Sequence, residues 1–176
     1  MTHVRLLLTL VFASALLSGC GQVAEQGELD KSLATWQALK AQNGDHYLYE
    51  TLFVSWTGFR SITTLTVQAS EIVTRAYKSS YTNDEGEEIT ESWTEEGAAV
   101  GSHEAGAEPR TVDELYTECR EDVLTQDAAE NEFYLEFRND GVLSSCYYRP
   151  LYCQDDCLFG VGIDDLEFLP AKVPSR

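Results

Sequence analysis

Basic residues are scarce in this chain. Only 12 Lys and Arg stand against 30 Asp and Glu, a formal net charge of −18. A surface that acidic repels nucleic acid phosphates and anionic lipid headgroups, which sets nucleic-acid binding aside. Histidine is scarcer still, with three residues in all. The chain has no G-x-S-x-G elbow, no Walker loop and no H-E-x-x-H pair. His103-Glu104 opens like the last of these, but Ala107 stands where the second His is needed. Nor is there a C-x-x-C pair: Cys153 and Cys157 are separated by three residues. These absences speak against the common hydrolase, nucleotide-binding, zincin and thiol-redox chemistries and point away from an enzyme.

What is present begins at the amino terminus. Met1 to Arg5 forms a short basic segment, and Leu6–Leu17 is an apolar run of 12 residues. That length suits the hydrophobic core of a signal peptide and is too short to span a bilayer as a helix. Leu17-Ser18-Gly19-Cys20 follows. It resembles the bacterial lipobox, in which small residues let the peptidase reach the backbone and the Cys thiol takes a diacylglyceryl group. On that resemblance residues 1–19 are a lipoprotein signal peptide. Cys20 then carries the lipid together with a palmitate-type N-acyl chain, more than stable anchoring requires. Gly21, where Asp would signal inner-membrane retention, favours the outer membrane, facing the periplasm or the cell surface. Residues 20–29 read as a flexible lipidated tether. Loss of Arg5 with the leader turns the net charge of −18 into −19.

Residues 30–176 read as one domain, long enough for a real core. Nine Tyr, seven Phe and three Trp favour a β-rich interior. Asp30 is placed to cap a first helix whose apolar positions are Leu29, Leu33, Trp36 and Leu39, stopped by Asn43-Gly44. Three strand candidates follow, 46–56, 61–69 and 72–77. An acidic insertion over 79–110 interrupts them. From Ser79 to Pro109 it holds nine carboxylates and no Lys or Arg, with a short strand expected at Ile89–Thr94 around Trp93 and a mobile stretch over Gly97–Pro109. Thr111-Val112-Asp113-Glu114 fits a capping box. Val112, Leu115, Tyr116, Cys119 and Val123 then share one helical face. Strands at 132–138 and 142–149 flank an Asn139-Asp140-Gly141 turn, and 159–168 closes the chain. The expected architecture is α+β, an antiparallel sheet with two helices packed on one face, in the order helix, strands, helix, strands.

Export makes the four remaining cysteines, Cys119, Cys146, Cys153 and Cys157, candidates for two disulfides. The helical face of Cys119 above the strand of Cys146 favours that pair, leaving Cys153 and Cys157 to close a short loop. Zinc fits poorly, because only His46 and His103 remain beside these cysteines, and both read as surface polar residues. Calcium is the metal worth carrying: Asp155 and Asp156 would present two carboxylates on a cross-linked loop. Otherwise no cofactor is expected. Tyr147, Tyr148 and Tyr152 flank that loop, and alternation sends Tyr147 and Tyr148 to opposite faces, with packing of both expected ahead of a groove.

Trp36, the Tyr47-x-Tyr49 strand, the Thr-x-Val strand ending near Ala69, Ile72-Val73 and the Thr111-Val112-Asp113-Glu114-Leu115-Tyr116 helix start together resemble an uncharacterised family of small bacterial lipoproteins, known as a domain of unknown function. The resemblance spans roughly residues 31–168. The chain departs from the pattern at Gln68-Ala69-Ser70, where the family turns with Asn-Gly or Asp-Gly, in its acidic insertion, and in its cysteine set. The resemblance implies the fold and an envelope address and transfers no catalytic residue. The expectation is an envelope-anchored binding or structural module meeting an envelope protein or a small ligand. The alternatives are a calcium-dependent module and a hydrolase of envelope polymers.

Overall fold

The computed structural model describes residues 19–155 and 157–170. Helix α1 (Gly19–Asn43) is the first element of the described residues. Four strands follow: β1 (His46–Val54), β2 (Arg60–Gln68), β3 (Glu71–Thr82) and β4 (Glu88–Glu96). A loop then leads to α2 (Val112–Glu118), and a π-helical turn over Cys119–Val123 extends it. The chain ends with β5 (Asn131–Phe137), β6 (Leu143–Pro150), β7 (Phe159–Gly162) and β8 (Asp165–Phe168). Among the described residues, two α-helices and antiparallel strands make the fold α+β. The strands do not form one sheet. Five lie in the order β4-β3-β2-β1-β8 and three in the order β5-β6-β7.

Residues 20–29 lie within α1, and Leu29 is fully buried. Asp30 caps nothing, because the helix already runs through it. Its carboxylate instead pairs with Arg120. Trp36 is the helix's main anchor. It is fully buried, meets the Tyr47 ring edge-on at 5.0 Å and stacks on Phe168 at 5.7 Å. Its indole N–H donates to Asp113 at 3.2 Å, and Lys40 reaches the same carboxylate at 2.7 Å. Asp113 therefore joins the first turn of α2 to the last turns of α1. Further along α1, Ser32 donates to the Gly141 carbonyl and shares a 2.6 Å hydrogen bond with the Tyr116 hydroxyl.

Helix α2 starts where the capping box places it. The Thr111 hydroxyl accepts from the Glu114 amide, and Glu114 returns to the Thr111 amide at 2.6 Å. The Tyr47 hydroxyl accepts from the Val112 amide, another N–H that the first turn would leave unpaired. The helix ends earlier than its apolar face suggests. The π-helical turn carries that face onward, so Cys119 and Val123 stay buried beside Val112, Leu115 and Tyr116. Cys119 is bonded to Cys146 on β6 with Cα atoms 5.7 Å apart, which fastens the turn to the three-stranded sheet.

Strand alternation does the rest. On β2, Ser61, Thr63, Leu65 and Val67 are buried and their neighbours face out. Tyr47 and Tyr49 of β1 lie on the same inner face. The last run, read as a single strand over 159–168, divides. Its first part pairs with β6 and its second with β1. The switch falls at Ile163 and Asp164, whose amides donate to the Ser144 and Glu50 carbonyls, one in each sheet.

Candidate inter-sheet cleft and its polar strap

A cleft of about 640 Å³ is lined by residues of both sheets. One wall is the inner face of the large sheet, from Tyr49, Thr51 and Phe53 of β1 across Ser61 and Thr63 of β2 to Tyr77 of β3. The facing wall is Tyr147 of β6 with Leu158, Gly160 and Gly162 around β7. Two glycines set this wall. At Gly160, φ is +142°, and a Cβ would run into the Cys146 carbonyl across the strand pair. At Gly162 a Cβ would occupy the place of the Tyr147 hydroxyl. Only a hydrogen fits at either position, so Tyr147 can lie flat along β7 with its hydroxyl toward the cleft. Burial pushes its phenol pKa upward, so it stays protonated, able to donate and accept.

The lining is mostly apolar, and its charged groups are few. Arg110 is the cleft's cation, and Glu108 and Glu118 are its carboxylates. Both carboxylates are bound to that same guanidinium. Tyr49 donates its hydroxyl to the Arg110 carbonyl at 2.5 Å, fixing the backbone that carries the trio. No His, Cys or Asp is among the described lining residues. Phe53 and Leu158 stand at its mouth about half exposed, at 52% and 56%.

The cleft's third side is a strap, residues 105–108, whose anchor is absent from the sequence reading. Arg75 is buried at 2% exposure on β3, and Glu95 lies opposite it on β4. The guanidinium donates to Glu95 at 3.1 Å and to three loop carbonyls, His103 at 3.2 Å, Ala105 at 2.5 Å and Ala107 at 2.7 Å. Glu95 in turn accepts from the Gly101 and His103 amides, the Ser102 hydroxyl and the His103 ring. Desolvation pushes its carboxyl pKa up, but these amide, imidazole and guanidinium donors outweigh it and hold the group well below the usual carboxylate range. Trp93 lies between Tyr77 and His103 in a three-ring stack, 5.0 Å and 4.1 Å between centroids, with the Arg75 guanidinium 4.9 Å away. Gly106, at φ +85°, lets the strap press onto Thr63 and Tyr77, where a Cβ would come within 3.0 Å of both.

The acidic insertion is thus a folded element. Strand β3 continues to Thr82, β4 uses Glu88–Glu96, and the stretch read as mobile after it is tied down by one buried ion pair. The signal that could have revealed this is Arg75 itself. Alternation along Ile72–Tyr77 places it on the same face as Tyr77, toward the core, where a lone Arg requires an acidic partner.

Of the candidate cysteines, histidines, acidic pair and loop tyrosines named in the sequence, Tyr147 alone lines the cleft. Cys20 belongs to the first turn of α1, and its side chain lies outside the described residues. Cys153 and Cys157 are bonded, with Cα atoms 6.2 Å apart. Asp155 is exposed on that loop and Asp156 lies outside the described residues. Among the described residues no three His, Cys, Asp or Glu side chains gather as a metal site. His46 meets the Pro170 carbonyl at 3.0 Å, whereas His103 belongs to the strap. Tyr148 stacks on Phe159 at 5.3 Å, and Tyr152 is exposed. Among the described residues no helix is long and apolar enough to cross a membrane.

Fold and site together define an α+β domain with a preformed apolar cleft between two antiparallel sheets. Compared with protein-family models, curated proteins and solved structures, the chain matches none.

Proposed function

We propose that this chain is an envelope lipoprotein, anchored through lipid on Cys20, whose domain binds a small ligand in the inter-sheet cleft and does not transform it. The observation that carries the reading is the cleft itself. Its volume of about 640 Å³ and apolar, aromatic lining with a few fixed polar groups are what small-molecule sites have in common. Binding without turnover is supported by the state of its carboxylates. A general acid and base need separate, free carboxyls, whereas Glu108 and Glu118 are both tied to Arg110. The envelope address rests on the lipobox at Leu17-Ser18-Gly19-Cys20 and on the resemblance to small bacterial lipoproteins. Calcium at Asp155 and Asp156 and hydrolysis of envelope polymers draw no comparable observation from the described residues.

Photo-crosslinking in growing cells tests the reading. A benzophenone side chain at Phe53 or Leu158 should capture a low-mass adduct that the same group at Thr66, on the outer face of β2, does not. Equal labelling at all three positions overturns the cleft as the binding site. Incorporation of labelled palmitate that disappears in Cys20→Ser checks the anchor, and labelling that persists in this variant removes it.

A further inference from the structure

The cleft's charge and hydroxyl groups narrow what it can hold. Arg110 is its positive group, and Glu108 and Glu118 already occupy it. The trio carries one net negative charge, on a chain whose overall charge is −18. An anionic ligand would have to leave water with no free cation to receive it and would meet a surplus carboxylate at the wall. Hydrogen-bonding capacity is nevertheless available. Among the six hydroxyl side chains that line the cleft, Tyr49 is engaged with the Arg110 carbonyl and Thr63 accepts from the Ala107 amide. Thr51, Ser61, Tyr77 and Tyr147 have no hydrogen-bond partner among the described residues. They sit on both walls, and apart from the Arg110, Glu108 and Glu118 trio the side chains around them are aliphatic and aromatic. Each hydroxyl can donate or accept, and none brings charge.

We propose that the cleft selects a small apolar molecule that carries hydrogen-bonding groups and no negative charge. This rests on the cleft being the ligand site. The Arg110, Glu108 and Glu118 trio acts as the filter: its guanidinium is silenced by two carboxylates, so an acidic ligand is repelled where a lone Arg would attract it. The four free hydroxyls hold the ligand's polar groups, and the aromatic walls hold its body.

Two fluorescent probes with the same body separate the elements of the proposal. N-phenyl-1-naphthylamine is neutral, and 8-anilinonaphthalene-1-sulfonate adds one sulfonate to it. Both are titrated into the whole chain carrying Cys20→Ser, which bears no lipid to absorb them. Binding in the cleft is the component lost in Thr51→Trp, which fills the space between the walls. Leu158→Glu, at an exposed position of the facing wall, serves if the Trp variant does not fold. The neutral probe is expected to bind the cleft about tenfold or more tightly than the sulfonate, the discrimination one surplus charge gives at a partly exposed site. Glu118→Gln, which leaves Arg110 one carboxylate fewer, is expected to shift the affinity ratio of the two probes toward the sulfonate about fivefold or more. Cleft-dependent binding with equal affinities for the two probes, or an unchanged ratio in Glu118→Gln, overturns the charge filter and leaves the cleft as a binding site. Binding of both probes that is indifferent to Thr51→Trp and Leu158→Glu overturns the cleft as the site, and the filter with it.

Discussion

Replacing Arg75 by Ala tests how the acidic segment is held. The substitution removes four donor contacts at once, those to Glu95 and to the carbonyls of His103, Ala105 and Ala107. It also leaves Glu95, 1% exposed, without its counter-charge. Breaking a buried ion pair from one side costs about 3–5 kcal/mol. The strap can respond by swinging away and letting water reach Glu95, so the lower end of that range is expected. Against a domain stability of about 5–15 kcal/mol this is a large loss, and urea unfolding would resolve it. Hydrogen exchange localises it. The Gly101 and His103 amides donate to Glu95, and the Ala107 amide donates to Thr63. All three are expected to lose protection in the variant while the core amides of β1 and β2 keep theirs. Arg75→Lys keeps the charge but not the planar fork, and should recover only part of the stability. A loss below about 1 kcal/mol, with these three amides still protected, would refute the strap's dependence on Arg75.

Glu95 is held below the usual carboxylate range when folded, so its stabilisation is fully present above the ordinary carboxyl pKa of about 4.3 and is lost as pH falls toward the folded value. The slope of stability against pH between about pH 4.5 and 2.5 should therefore be flatter in Glu95→Gln than in the parent chain. Removing the Cys119–Cys146 bond, which spans 27 residues of sequence, should cost about 3–4 kcal/mol in urea unfolding, and reduction of a chain carrying Cys153→Ser and Cys157→Ser should reproduce the loss. Ala69→Asn should raise the melting temperature by about 1–3 °C, because Ala69 sits at φ +53° in the β2–β3 turn, where Asn tolerates the left-handed conformation better.

Local rules made much of the fold legible before any coordinates. The capping box at Thr111 and Glu114 needs only four consecutive residues, and it forms as written. The apolar alternation of β1 and β2 needs only a strand's own length. What the sequence concealed depends on partners far along the chain. Arg75 and Glu95 are 20 residues apart, and neither announces the other, so a run of carboxylates reads as a solvated loop although one of them is a buried anchor. The single run at 159–168 reads as one strand because its pattern does not change where its partner does. The switch at Ile163 and Asp164 is decided by the carbonyls of Ser144 and Glu50. The cleft was the least visible feature. It is assembled from β1, β2, β3, β6 and β7, from α2 and from the strap that Arg75 holds. Tyr147 was weighed as a groove residue, but the glycine at 162 that makes room for its hydroxyl is meaningful only once β7 lies beside β6.

The step from β7 to β8 does more than end the chain. It is a two-residue hinge pin between the plates of a calliper: Ile163 is bonded to one plate and Asp164 to the other. The gap between the jaws is thereby gauged by covalent length. If the cleft binds a small ligand as proposed, ligands that differ in thickness are expected to be sorted by what this short span allows, and lengthening it by one residue would reset the gauge without altering a single residue that lines the jaws.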